Sequence, residues 1–231
     1  MTDDHVKPAT RRAIDWRRML AEGVIIVGSV YLAIYLEGVS NDRQEVEEAR
    51  TTLAQLQVDL EEDRRDLAEI LEEQRTLAGL YADLDRWLAT PAAMPFDSVE
   101  SALDFLAYHN RTMFPRKGAW TTMLAEGYLG ALDDPQLVAR LGTFYGRINE
   151  RIEYNGGYYD RSLGQVSGET VPSVWDYERR RPAADPERLR LLRGQLRFMR
   201  KAWNEFYIDL LTQYQQELDA TIEAVEGYLA D

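Results

Sequence analysis

The chain has 231 residues, no cysteine and a formal charge of −13. That acidity argues against nucleic acid as a partner and against broad adhesion to anionic lipid, because both need a basic face opposite phosphate. The missing cysteines exclude disulfides and thiolate chemistry while leaving the compartment open.

Residues 1–18 carry Lys7, Arg11, Arg12, Arg17 and Arg18 against Asp3, Asp4 and Asp15, so the whole negative surplus falls from Met19 onward. This basic tail leads into Met19–Val39, which is apolar except for Glu22 and Glu37. Gly23 to Leu36 holds no charge and covers about 21 Å as a helix, short of a ~30 Å hydrocarbon core. Counting Met19 to Val39 gives about 31 Å, with the two glutamates at the interfaces. We therefore expect a transmembrane helix over 19–40, with Trp16 and Tyr35 in the interfacial aromatic belts. The basic residues before it predict a cytoplasmic tail over 1–18 and an outside body over 41–231. Two other readings of the run stay open: a signal-peptide core cleaved after Ser40, with Gly38 and Ser40 as its small residues, and a buried soluble helix. At helical spacing Glu22, Ser29, Ala33 and Glu37 form a small-and-polar stripe of the kind that packs against other membrane helices.

From Asn41 to Leu88 a 3-4 apolar repeat predicts one long helix with a coiled-coil-like seam. Its members are Val46, Ala49, Leu53, Leu56, Leu60, Leu67, Ile70, Leu77, Tyr81, Leu84 and Leu88. Asp63 and Gln74 interrupt the seam, either as register-setting polar positions or as points where another helix departs. The outer face is densely acidic (Glu47, Glu48, Glu61, Glu62, Asp66, Glu69, Glu72, Glu73) and reads as a solvated surface. Pro91 and Pro95 end this helix. Asp97 with Glu100 resembles a capping box for a short helix over Ser98–Tyr108. An irregular link, Asn110–Gly118, leads to a helix ending at Gly127 or Gly130. Asp134-Pro135 opens the next helix, which we carry to about Leu163 with a weak point at Gly156-Gly157. Ser167–Ala184 reads as the longest loop. A second Asp-Pro, Asp185-Pro186, opens the last helix, with its apolar face on Leu189, Leu192, Leu196, Met199, Trp203, Phe206, Leu210, Tyr214, Leu218, Ile222 and Val225. That helix nearly equals the stalk in length, so antiparallel pairing would bury both stripes. The expected fold is all-α.

Two segments resemble an uncharacterised family of bacterial single-span envelope proteins. One is Glu22, Gly28 and Ala33 followed by Leu53, Leu56 and Leu60 with Asp59 and Asp63. The other is Phe114-Pro115, Leu124, Gly127, Leu129, Asp133-Asp134, Leu137, Leu141 and Tyr145. The chain departs from that pattern at Glu37-Gly38-Val39-Ser40, where the family commonly has an Asn-rich, Trp-containing exit. The resemblance implies a bacterial inner-membrane protein with a periplasmic helical domain; it implies no reaction.

The residues themselves offer little chemistry. His5 and His109 have no metal-ligand spacing, and the acidic row Glu62, Asp66, Glu69 and Glu73 lacks the Glu-x-x-His motifs of di-metal bundles. No phosphate-cradling glycine loop precedes a helix, and serines and threonines lack a neighbouring base other than carboxylates. We expect no enzyme, no cofactor and no metal. Two features remain as partner-docking candidates: an aromatic group (Tyr145, Tyr154, Tyr158, Tyr159, Trp175, Tyr177) near the far loop, and the basic run Arg179, Arg180, Arg181 continuing to Lys201. The expected function is a membrane-anchored accessory or structural subunit whose partners are other membrane subunits. A ligand-sensing module and a homo-oligomeric spacer are the alternatives.

Overall fold

The computed structural model describes residues 16–90, 95–183 and 185–230. The chain divides into two units between Glu47 and Glu48, and α1 (Trp16–Ala89) contributes to both. In the first unit the described side chains Val27, Val30, Tyr31, Leu32, Tyr35 and Leu36 are all exposed, by 54% or more. Among the described residues no helix is long and apolar enough to cross a membrane. Residues 1–15 of the expected cytoplasmic tail and the side chains of residues 16–26, where the expected span begins, lie outside the described residues. So do the side chains of Glu22 and Ala33; Ser29 and Glu37 are exposed.

The second unit is an all-α bundle. The leucine seam of α1 is buried from Ala49 to Leu88, whereas Val46, expected in it, is exposed. Its partner is the last helical stretch, α7 (Pro186–Phe198), a π-helical turn (Met199–Asn204) and α8 (Glu205–Ala230). The pairing is antiparallel. Arg50 Nη2 donates to Leu229 O at 3.1 Å, Gln57 to Glu226 at 3.3 Å, Asn204 to Gln74 at 3.0 Å, and Arg193 and Arg197 to Asp85 at 2.6 Å each.

Both Asp-Pro signals act as helix starts. Asp134 Oδ1 accepts from Gln136 N and Leu137 N at 2.8 and 3.1 Å, opening α4 (Pro135–Thr143), and Asp185 accepts from Glu187 N at 2.9 Å, opening α7. α2 spans Phe96–Tyr108, and the Asp97/Glu100 capping box does not form. Both carboxylates turn instead to Arg180, at 3.2 and 2.8 Å. α3 (Gly118–Ala125) is followed by a 3₁₀ turn (Tyr128–Ala131) entered through Gly127 at φ 76°, where a glycine avoids the Cβ penalty.

Three π turns account for where the expected faces slip. A π turn inserts about one extra residue into the helical repeat. At Met199–Asn204 the buried face steps from Met199 to Asn204 and Tyr207, leaving Trp203 half-buried and Phe206 exposed, one residue off the expected register. At Phe144–Ile148 the buried position passes to Asn149 rather than Ile148, at the entry to α5 (Asn149–Gln165). The third, Val166–Thr170, carries the chain into α6 (Val171–Val174), so half of the expected loop Ser167–Ala184 is helical. Pro172 has no N–H to offer Gly168, and it stands just after this wider turn. The remainder is a two-residue antiparallel ladder, β1 (Trp175–Asp176) on β2 (Arg181–Pro182), closed by Arg180 at φ 50°. Nor does Gly156 weaken α5: a Cβ there would stand 3.1 Å from Tyr207 Oη and 3.4 Å from Thr112 Cβ, so the glycine permits a close approach.

Candidate functional site

The densest polar arrangement lies where the seam of α1 is broken. The link between α2 and α3 is non-helical, so its backbone amides have no partner within the segment and must be met from outside. Side chains of two helices, α1 and α8, meet them. Met113 N donates to Tyr207 Oη at 2.8 Å, Arg116 N to Asp63 Oδ2 at 3.0 Å and Ala119 N to Asp59 Oδ2 at 3.3 Å, while Arg111 O accepts from Gln74 Nε2 at 2.8 Å. The link's own side chains reach the other way. Asn110 and Thr112 each donate to Asp160 of α5 at 2.8 Å, Lys117 meets Glu153 at 2.7 Å and Arg111 meets Glu69 at 2.9 Å.

Arg116 is the centre of this strap. Its guanidinium gathers Glu62, Asp63 and Asp66 at 3.0, 2.7 and 2.8 Å. Part of the acidic face read as solvated, together with Glu69, is therefore neutralised by the link. Asp63 is 1% exposed, and burial outweighs Arg116 in lifting its carboxyl to about 6. Burial likewise raises Asp160, opposed by its bonds from Thr112 and Asn110. Arg116 itself is raised by its bonds to Asp63 and Asp66. Deeper in, Gln74 Oε1 accepts from Asn204 Nδ2 at 3.0 Å, and both residues are fully buried. The Tyr159 hydroxyl is pushed to about 12 chiefly by burial, against the opposing influence of Tyr81 and Asn204, and both tyrosine hydroxyls are buried without a hydrogen-bond partner among the described residues.

The aromatic docking candidates divide. Tyr159 and Trp175 are 0% and 2% exposed and belong to the core, as does Tyr145, so they cannot form a surface patch. Trp175 lies edge-on to Phe96 at 6.3 Å, and Tyr145 stacks on Trp120 at 4.8 Å. Tyr154, Tyr158 and Tyr177 are exposed; Tyr158 packs on Trp203 at 4.7 Å beneath the Arg161 guanidinium. Burial and the neighbouring Asp104 push Tyr177 up. Arg179 returns to Asp176 at 3.7 Å, Arg180 is held by Glu100 and Asp97, and Arg181 is exposed on β2. Farther along the basic run, burial would raise Asp85, but its bonds from Arg197 and Arg193 prevail and its pKa falls.

The sequence reading missed Arg116, Asp160, Asn204 and Tyr207 as site residues. The available signal was the pair of breaks at Asp63 and Gln74, both of which face the link. Among the described residues no cluster of carboxylate, histidine and cysteine side chains is arranged to hold a metal.

The described body thus defines a closed helical bundle tied internally by a polar strap. The chain belongs to a family of unknown function (DUF6090), whose model matches residues 22–172. Asp59, Asp63, Gln74, Arg116 and Asp160 all fall within the match, and both segments that carried the family resemblance are joined through Asp63 and Arg116. No curated protein and no solved structure matches the chain.

Proposed function

We propose that the chain is a membrane-anchored, non-catalytic accessory or structural subunit that docks on a larger bacterial membrane complex. In this reading residues 19–40 lie in the inner membrane, residues 1–18 in the cytoplasm and the bundle in the periplasm. The observation that carries it is the contrast between the two units. The bundle covers its own α1 seam with α8, while Val27 to Leu36 present bare valine, leucine and tyrosine side chains that lipid or neighbouring membrane helices would cover. A homo-oligomeric spacer built on the α1 seam loses its interface, because the same chain fills it.

Purification in a gentle detergent followed by mass spectrometry tests the reading. A stoichiometric membrane partner is expected; a solitary monomer refutes it. Alkaline phosphatase fused after Ala230 should be active if the bundle is periplasmic, and inactivity would overturn the assigned orientation.

A further inference from the structure

We propose that the outer face of α7 is the docking surface for an acidic amphipathic helix of a partner protein. The proposal rests on the accessory-subunit reading and assigns the face that makes the contact. Leu191 and Phe198 stand two turns apart on α7, 58% and 60% exposed, while Leu189, Leu192 and Leu196 fill the core on the other side. Gly194 lies between the two, and nothing stands within 4 Å of where its Cβ would be. The result is an open groove of about 590 Å³ lined by Leu191, Gly194, Gln195 and Phe198, with Glu187, Arg188 and Arg190 at its rim. A notch between two large apolar side chains is the shape that receives one knob of a facing helix.

Charge selects the kind of helix. In a chain of −13, the stretch 186–201 carries Arg188, Arg190, Arg193, Arg197, Arg200 and Lys201 against a single acid, Glu187. Internal pairing leaves a surplus of two positive charges. Arg188 returns to Asp185 at 3.6 Å and Arg200 to Glu205 at 3.2 Å, but Arg193 and Arg197 share the one carboxylate of Asp85, Arg190 reaches Glu187 only at 3.7 Å with both 83% exposed, and Lys201 has no partner among the described residues. A second copy meeting this face with its own α7 would set arginine against arginine, and like charges opposed across an interface suppress pairing.

The test places a benzoylphenylalanine photo-crosslinker at Phe198 in the full chain, with a control at the exposed Gln216 of α8, and irradiates membranes of producing cells. The expected result is an adduct from position 198 and none from 216. Its cross-linked peptide, identified by mass spectrometry, should be an amphipathic helix richer in Asp and Glu than in Lys and Arg. In the same experiment Arg190→Glu/Lys201→Glu should lower adduct yield at least tenfold with circular dichroism and melting temperature unchanged, and 0.5 M salt should lower it for the parent. An adduct to a second copy, to lipid or to a neutral or basic segment overturns the proposal, as does an undiminished yield in the charge-reversed variant. If a partner co-purifies and position 198 gives no adduct, this face is refuted while the accessory reading stands. If nothing co-purifies, the accessory reading itself has failed.

Discussion

Replacing Asp63 by asparagine should stabilise the protein at neutral pH. A buried carboxyl whose pKa is about 6 in the folded chain, against 3.8 unfolded, holds its proton in the fold after the unfolded chain has released it. Stability from this group is therefore lost as pH rises through the window between those values, and is fully present only below it. At about 1.4 kcal/mol per unit, the carboxylate costs the fold about 3 kcal/mol at pH 7.5 despite its bond to Arg116. Asparagine keeps an oxygen for Arg116 N but lacks the second acceptor, so the variant starts slightly behind at low pH. Its stability relative to the parent should then climb by about 3 kcal/mol between pH 3.5 and pH 7.5, a rise in relative melting temperature of about 6–12 °C. Urea unfolding of parent and variant in the same mild detergent, followed by circular dichroism at several pH values, measures the difference directly. Parallel pH profiles for the two proteins would refute the reasoning, since they would mean that Arg116 offsets burial in full, and a relative stability that falls with pH would mean that Arg116 governs Asp63.

Asn204→Leu should cost about 1–3 kcal/mol, because it strands Gln74 Oε1 in the core. Gln74→Leu/Asn204→Leu should cost clearly less than the two single changes added together, and additive losses in denaturant titrations would show that the pair is not coupled. Gly156→Ala should lower the melting temperature although alanine is the better helix former, because its Cβ drives Tyr207 Oη away from the Met113 amide. A melting temperature at or above the parent's would show that Tyr207 moves without loss.

Periodicity carried the long elements. The leucine seam of α1, the antiparallel return and both Asp-Pro starts were legible because each depends on residues within a few turns of one another. The strap was not. Asp63 and Gln74 showed that the seam was broken, but their partners stand far along the chain, at Arg116 and Asn204, and nothing in a 3-4 repeat tells which non-periodic segment will cross it. The slips at Trp203 and Phe206 have the same origin: a regular repeat projected through a π turn arrives one residue early. Tyr159 and Trp175 were grouped with Tyr154 and Tyr158 by proximity in sequence, whereas α5 turns Tyr159 inward and Tyr158 out.

The contact between Arg50 and Leu229 sets a schedule for synthesis. Leucines from Leu53 to Leu88 leave the ribosome early, while the helix that covers them is made only after Pro186. At about 5–20 residues per second, residue 229 follows residue 50 by roughly 10–40 s. For that interval a row of bare leucines waits without its cover. The nascent protein is thus most exposed to aggregation and proteolysis while the ribosome is still at work, and cells short of a chaperone should lose it then, before it can fold.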